Sequence, residues 1–319
     1  MKRFAALALI VMASCAKEES VTPTTTRPVA EPVATTSSAA PQLTPEEEVR
    51  AWQKSRDERL RREDSWLTLV GLFWLQEGEN AIGSDKVKNR VVLPAKTPPS
   101  AGTLVVKQGK VTLNPTAAMT IGDKPVTGPI ELQDDSSGSG PTFVKLGTVQ
   151  FQIIKRGERL GVRVKDPESE VRTKFAGLEY YPIDPKWRVE ARLEPYNPMK
   201  KIPIQDVTGM TSNSDSPGAL VFTVEGKEYR LDPILEEGSD EYFIIFRDQT
   251  SRDETYPAGR YLYAKQADAS GKTIVDFNKA YNPPCAFTDF ATCPLPPLQN
   301  RLPIRVEAGE KKYTGFGAH

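Results

Sequence analysis

Alternating apolar and polar residues dominate the second half of the chain and predict β-strands. Trp187, Val189, Ala191 and Leu193 are separated by charged residues, which is the period of a half-buried strand. Further strands are predicted over residues 103–106, 110–113, 149–154, 160–164, 220–224, 229–231, 241–246, 260–264, 273–278 and 302–307. Turn residues recur between them and no helices alternate with them, so the pattern favours antiparallel sandwiches or barrels.

One helix is predicted before the strands, over residues 44–64. Thr44 and Glu47 have the spacing of a capping box, in which each side chain bonds the backbone of the other. Most of the helix surface is charged. We therefore expect a solvated helix that docks on the β body through Trp52.

The first fifteen residues have the pattern of a secretion signal that ends at a lipidation site. Lys2 and Arg3 precede an apolar run, and small residues lead into Cys15. The run has about half the length that a membrane-spanning helix needs. Residues 1–14 are therefore predicted to be a signal peptide, and Cys15 the lipidated first residue of the mature chain.

Residues 15–43 are predicted to be a lipidated, disordered tether. The segment is rich in Thr, Ser, Pro and Ala, so it cannot bury enough apolar surface to offset its ordering entropy. In the bacterial lipoproteins that this terminus resembles, the residue after the cysteine influences sorting, and Ala16 lacks the acidic retention signal. We expect anchoring to a membrane through Cys15, in the cell envelope, at the outer membrane and facing the periplasm.

Composition narrows the classes of function. The chain has 42 Lys and Arg against 42 Asp and Glu, and this balance does not favour a nucleic-acid partner. The only histidine is the terminal His319, which argues against Ser-His-Asp and Cys-His triads and against His-ligated zinc. No cofactor and no metal site is expected. Catalysis would have to use Asp, Glu, Lys, Tyr or Ser.

Cys285 and Cys293 are eight positions apart in a Pro-rich stretch. In an oxidising compartment such a pair usually forms a structural disulfide. The predicted bridge would stabilise the fold by about 2–3 kcal/mol.

Three stretches are more polar than a β core needs and supply candidate binding residues: 163–166, 246–251 with 254–260, and 276–287. If the sheet curls into a barrel, the third stretch could line its mouth, where ligands bind. The alternative is that its residues cap the turn that follows the strand. The candidates are Arg163, Asp166, Arg247, Glu254, Tyr256, Arg260, Asp276, Asn278, Tyr281 and Asn282.

The segments 177–187 and 293–303, together with the Asn-Pro-Pro-Cys to Cys-Pro pattern of residues 282–294, closely resemble the bacterial and archaeal domain-of-unknown-function family 1684. The resemblance extends from Trp66 to Lys312. It implies no mechanism, because the family has no established activity.

The segment 66–94 is also similar to the opening of a forkhead-associated sandwich, a phosphothreonine-binding fold. The phosphate-binding arginine of that family would fall at Ser84, and its Ser-x-x-His signature has no counterpart before Gly102. The resemblance therefore implies the sandwich architecture without the phosphopeptide site.

Taken together, these patterns predict a mainly β protein: two antiparallel β-sandwich or barrel units, at 65–168 and 169–319, preceded by one charged helix. Binding of a small polar ligand, a glycan or a protein partner at the C-terminal polar cluster is the preferred function. A structural lipoprotein without a ligand is the second. The third is a histidine-independent hydrolase of envelope glycans, pairing Glu254 with Asp276 or Asp166, since glycoside hydrolysis needs two carboxyls.

Overall fold

The computed structural model describes residues 43–318 of the chain. The predicted signal peptide, Cys15 and nearly all of the tether lie outside the described residues, as does His319. Helix α1 spans Pro45–Arg61 and begins at the predicted capping box, where the Glu47 amide donates to Thr44 Oγ1 over 3.3 Å and the Thr44 amide donates to Glu47 Oε2 over 2.8 Å. None of the helices in the described range is long and apolar enough to cross a membrane.

Eleven strands form the first β unit. They are β1 Leu69–Trp74, β2 Gly78–Gly83, β3 Val91–Val92, β4 Gly102–Lys107, β5 Lys110–Pro115, β6 Thr120–Ile121, β7 Lys124–Pro125, β8 Ile130–Leu132, β9 Val144–Leu146, β10 Val149–Arg156 and β11 Arg159–Lys165. One sheet has the order β1-β11-β10-β9-β6-β7 and the other β3-β2-β4-β5-β8. Strand β3 pairs in parallel with β2, an exception to the antiparallel pattern.

The two sheets pack face to face as a sandwich. Alternate residues of both sheets enter one core, with Leu104 and Leu113 from one sheet and Phe151, Val162 and Val164 from the other. The period of two along each strand produces this segregation. The same alternation places Arg163, which lies between the core residues Val162 and Val164, on the opposite face of its sheet.

Seven strands form the second β unit, after the short helix α2 at Glu170–Thr173. They are β12 Arg188–Gln205, β13 Thr211–Val224, β14 Lys227–Leu231, β15 Ile234–Leu235, β16 Glu241–Phe246, β17 Arg260–Lys265 and β18 Lys272–Asp276. One sheet has the order β14-β13-β12-β18 and the other β15-β16-β17. Their shared core includes Val189, Phe222, Ile244, Leu262 and Phe277. The predicted mainly β fold with a charged N-terminal helix is thus confirmed.

The strand predicted at 302–307 is wrong, and residues 277–278 leave the predicted strand for a short 3₁₀ helix at Phe277–Lys279. The Val306 amide donates to the Asp248 carboxylate over 2.7 Å, and the Val306 carbonyl accepts from Arg260 over 2.9 Å. Pro303 has no amide hydrogen to donate. The backbone of Leu302 and Ile304 bonds to that of Arg247 and Gln249, next to an isolated bridge between Arg247 and Arg301. Backbone and buried side-chain partners together satisfy the segment, and it forms no strand of a sheet.

Candidate functional site

A cleft of about 580 Å³ lies between the first sandwich, helix α1 and the Cys285–Cys293 segment. Four arginines line it, Arg56, Arg59, Arg156 and Arg163, against a single lining carboxylate, Glu236, among the described residues. We call this cavity the arginine cleft. We call residues 285–293 the cysteine loop.

Arg163 is the most unusual residue of the arginine cleft. Its side chain is almost fully buried, with 6% of the residue exposed. Its guanidinium NH2 donates to the Thr292 hydroxyl over 3.3 Å, and Nε has no hydrogen-bond partner. Its Cζ lies 5.4 Å from the centroid of the Trp66 ring. Within residues 43–318 no carboxylate forms an ion pair with Arg163.

Burial, followed by the charge of neighbouring Arg156, lowers the pKa of Arg163 to about 10. This value still lies about three units above neutral pH, so the side chain stays a cation. A buried charge without a counter-ion is costly. The cleft therefore carries positive charge that an anion would compensate.

Arg156 approaches the same hydroxyl from the end of β10. Its Nε donates to Thr292 Oγ1 over 3.1 Å, and its NH1 forms an ion pair with Asp135 at 2.8 Å. Two guanidiniums thus converge on one oxygen of the cysteine loop. Such a pair suits the oxygens of a phosphate or carboxylate, because charge-assisted bonds to oxyanions are short and strong.

Arg56 is neutralised and has a different role. Its Nε donates to the fully buried Glu310 over 2.9 Å, and its NH2 donates to the Asn282 carbonyl over 2.9 Å. Burial lowers the pKa of Arg56, but the Glu310 carboxylate outweighs this effect and raises it. Its Cζ lies 4.8 Å from the centroid of the Tyr281 ring, so Arg56 fixes the aromatic side of the cleft.

Helix α1 contributes one face to the cleft. Trp52, Arg56 and Arg59 all line it, and their spacing of four and three residues places them on the same face of the helix. Arg59 is exposed and donates to Ser55 Oγ over 2.6 Å. It is therefore a second cation without a carboxylate partner among the described residues.

Aromatic rings form another wall of the cleft. Phe243 and Tyr263 are cross-strand partners of β16 and β17, with ring centroids 4.9 Å apart and planes 22° apart. The Tyr281 ring is tilted by 11° from Tyr263, at 6.4 Å. The Tyr263 hydroxyl donates to Glu236 over 2.9 Å, which fixes its ring.

A second cleft of about 900 Å³ adjoins the arginine cleft. The two share Trp52, Arg59, Tyr263 and Tyr281. Its lining mixes acidic and basic side chains, Asp276 among them.

Cys285 and Cys293 are both free and buried, so the predicted disulfide is not formed in this structure. The Cys285 amide donates to Cys293 Sγ over 3.1 Å. A hydrogen bond between the two side chains lowers the pKa of the Cys285 thiol, and the same bond together with burial raises that of Cys293. The cysteines are therefore neighbours, and Cys293 lines the arginine cleft.

Of the ten predicted binding residues, Arg163 and Tyr281 line the arginine cleft, and Tyr281 and Asp276 line the second cleft. The other residues line neither of these two clefts. They are Asp166, Arg247, Glu254, Tyr256, Arg260, Asn278 and Asn282.

Most of those other residues hold the fold together. Arg260 is fully buried and pairs with Asp248 at 3.2 Å. Asn278 Nδ2 donates to the Asp184 carbonyl and to Asp276 Oδ1, both over 3.0 Å. Asn282 Nδ2 donates to the Lys311 carbonyl over 2.7 Å. Asp276 and Asn278 therefore cap the turn that follows the strand, which is the alternative given above for the third polar stretch.

The remaining candidates bind separate partners. Asp166 pairs with Lys96 at 2.7 Å. Glu254 accepts from Tyr181 and pairs with Arg305 at 2.5 Å. The Tyr256 hydroxyl donates to the Cys285 carbonyl over 2.9 Å. Half-buried Arg247 bonds through its backbone to Asn300 and Leu302.

The carboxylates proposed for hydrolysis do not line a common cleft in either of these two cavities. Asp276 lines the second cleft, while Glu254 and Asp166 line neither cleft. Within the part of the chain that the structure describes, no group of three or more His, Cys, Asp or Glu side chains could hold a metal ion.

Sequence reasoning missed Arg156, Thr292, Trp66 and Arg59. The helical spacing of Trp52, Arg56 and Arg59 was a usable signal, because a solvated helix does not need an aromatic residue and two arginines on one face. Thr292 and Arg156 are ordinary polar residues in sequence. Only the tertiary fold joins them.

The chain is similar to one protein family and to two solved structures. The family model described as protein of unknown function (DUF1684) matches residues 173–311, so it begins well after Trp66. A solution NMR structure of an uncharacterised protein of Haloarcula marismortui is 32% identical and covers 46% of this chain and 80% of its own, with a TM-score of 0.38. The FhaA FHA domain, solved in complex with the intracellular domain of Rv3910, is 18% identical and covers 30% of this chain and 97% of its own, with a TM-score of 0.20. No curated protein matches.

Proposed function

The chain belongs to the DUF1684 family of proteins of unknown function, and we propose that it binds a small anionic ligand in the arginine cleft. One observation carries the proposal. Arg163 is 6% exposed and has a hydroxyl, not a carboxylate, as its partner. The preferred function is therefore ligand binding, at a site that includes Arg163 and Tyr281 but not most of the polar cluster.

Arg163 has no carboxylate partner among the described residues to offset the cost of its burial. Removing a guanidinium from water costs several kcal/mol unless an opposite charge compensates. Elsewhere in the fold the buried arginines have such partners, Glu310 for Arg56 and Asp248 for Arg260. An anion on Arg163 and Arg156 would complete the same arrangement, and by binding the native state it would stabilise the fold.

The lining of the cleft favours binding over glycoside hydrolysis. That reaction uses two carboxyls on either side of the scissile bond, and Glu236 is the one carboxylate among the described lining residues. Its Oε2 already accepts from Tyr263. We therefore propose a binding protein and not a carboxylate hydrolase.

The test measures the thermal midpoint and the calorimetric affinity of the full chain with inorganic phosphate, sulfate and acetate as probes. At least one anion is expected to bind and to raise the midpoint, and Arg163→Gln is expected to abolish both effects. Arg90→Gln, at an exposed arginine of the same β unit, is the matched control. Equal anion binding by Arg163→Gln and the wild type, or no response to any of the three anions, would contradict the proposal.

A lipid anchor at Cys15 is part of this proposal and is supported by the sequence of residues 1–15. It would hold the binding unit at the envelope, facing the periplasm. Metabolic labelling with a fatty acid is the test. The wild-type chain is expected to take up label and to fractionate with membranes, and Cys15→Ser to do neither.

A further inference from the structure

The arginine cleft is larger and more aromatic than a simple ion site needs. Its volume of about 580 Å³ lies within the range of small-molecule pockets, roughly 300–1,000 Å³. A single inorganic anion on Arg163 and Arg156 would leave most of this space empty. A ligand that fills the cleft must therefore also contact lining residues other than Arg163 and Arg156.

Two of those residues are aromatic side chains that the fold leaves exposed. Trp66 is 39% and Tyr263 is 37% exposed, and both line the cleft. Exposed apolar surface gathered in one cavity is a sign of a binding site. Neither residue belongs to a buried core cluster of the described chain, so the exposed part of each ring is accessible to a ligand.

Aromatic rings lie close to the arginines of the cleft. Trp66 lies directly beside Arg163, at 5.4 Å from ring centroid to Cζ. Phe243, Tyr263 and Tyr281 line the same cleft and have nearly parallel ring planes. Burial, with the nearby Tyr281 and Glu236, raises the pKa of Tyr263, so the ring stays a neutral phenol held by its bond to Glu236.

Building on the function proposed above, we propose that the ligand is an aromatic ring that carries an oxyanion, such as an aryl phosphate or an aryl carboxylate. The oxyanion binds Arg163, Arg156 and the Thr292 hydroxyl. The ring packs against Trp66 and the wall that contains Tyr263. Stacking and edge contacts between aromatic rings add affinity beyond the area that they bury.

Calorimetry on the full chain tests this with inorganic phosphate, phenyl phosphate, cyclohexyl phosphate and benzoate. Phenyl phosphate is expected to bind at least about tenfold more tightly than inorganic phosphate, and about 2- to 10-fold more tightly than cyclohexyl phosphate. Benzoate distinguishes the two oxyanions: its binding in place of phenyl phosphate would identify a carboxylate site, with acetate then serving as the ring-free reference.

Variants separate the ring contacts from the anion contacts. Trp66→Leu and Tyr263→Leu are expected to remove the advantage of the ring, measured in each variant as the ratio of the affinities for the aryl anion and the ring-free anion. Tyr263→Phe removes only the hydroxyl that donates to Glu236, so it keeps the ring and is expected to keep the advantage of the aryl anion. Phe143→Leu, at an exposed aromatic residue that does not line the cleft, is expected to behave as the wild type.

The outcomes distinguish this inference from the proposed function. If a ring-free anion binds through Arg163 but the aryl anion binds no more tightly, the inference is overturned and the anion site stands. If cyclohexyl phosphate equals phenyl phosphate, the cleft selects apolar bulk and not an aromatic ring, which also overturns it. If none of the anions binds, both proposals fail.

Discussion

Arg163 and Thr292 are 129 positions apart in sequence and meet through a hydrogen bond of 3.3 Å from guanidinium to hydroxyl. Arg156 donates to the same oxygen over 3.1 Å. The bond joins the outer face of the first sandwich to the cysteine loop. One hydroxyl therefore sets the position of two cations at the same time.

We expect Thr292→Val to weaken binding of phosphate by about 3- to 10-fold, because loss of one hydrogen bond costs about 0.5–1.5 kcal/mol and both guanidiniums lose their common acceptor. Thr292→Ser keeps the hydroxyl and is expected to retain wild-type affinity. Calorimetry with phosphate measures both variants. Wild-type affinity in Thr292→Val would show that the hydroxyl does not position the arginines.

The buried pair of Arg56 and Glu310 is expected to be essential for stability. Glu310 is fully buried and accepts from both Arg56 and the Asn282 amide. Glu310→Gln leaves the Arg56 charge without compensation, so the free energy of unfolding should fall by about 3–5 kcal/mol. Urea unfolding followed by circular dichroism is the measurement.

An exposed ion pair of the same helix provides the control. Arg50 and Glu46 lie four residues apart on α1 at 2.6 Å, with most of both side chains exposed. Glu46→Gln should change the free energy of unfolding by no more than about 0.5 kcal/mol. Similar losses of unfolding free energy in Glu310→Gln and Glu46→Gln would mean that the buried ion pair contributes no more to stability than the exposed one.

Alanine substitutions at two glycines with nearly equal φ angles distinguish the cost of a steric clash from the cost of the left-handed backbone conformation. Gly309 has φ +76° and Gly238 has φ +74°. A Cβ at Gly309 would lie 2.8 Å from the Phe277 carbonyl oxygen and closer still to that of Ala280, whereas a Cβ at Gly238 would meet nothing within 4 Å. Both alanine variants incur the left-handed penalty of about 1–2 kcal/mol.

Gly309→Ala should therefore destabilise the fold more than Gly238→Ala, by a further 1–3 kcal/mol or so for overpacking. The Ala280 carbonyl cannot move freely, because it accepts the Glu310 amide over 2.8 Å. Denaturant midpoints of the two variants provide the comparison. Equal midpoints would show that the backbone near Glu310 relaxes easily.

Local signals were sufficient for most of the fold. The capping box at Thr44 specified the start of α1, and apolar alternation specified the first part of the strand Arg188–Gln205, because both effects act between residues close in sequence. The segment 302–307 failed for the converse reason. Its backbone bonds to the backbone of Arg247 and Gln249 and to the side chains of Asp248 and Arg260, all more than forty positions earlier.

The site could be predicted only in part. A polar residue in a strand, such as Arg163, is conspicuous in sequence, but so are Arg260 and Asn282, whose hydrogen bonds are internal. The difference between the two arginines is that Arg260 pairs with the carboxylate of Asp248, whereas the partner of Arg163 among the described residues is the Thr292 hydroxyl. That depends on contacts between segments such as β11 and the cysteine loop, and periodicity carries no information on such contacts.

The cysteine loop provides the last prediction. Cys285 and Cys293 are adjacent and free, and the lowered pKa of Cys285 makes it the better nucleophile. In a Cys15→Ser background, the Cys285 thiolate should add to the azo bond of diamide, and Cys293 should then displace the hydrazine to form the disulfide. Peptide mapping without reduction should identify a single Cys285–Cys293 bridge, and urea unfolding should show a gain of about 2–3 kcal/mol in the free energy of unfolding.

Cys293→Ser is the control and should give no such gain. Oxidation that joins separate chains, or a bridged protein of lower stability, would show that the two sulfurs cannot bond within the native loop.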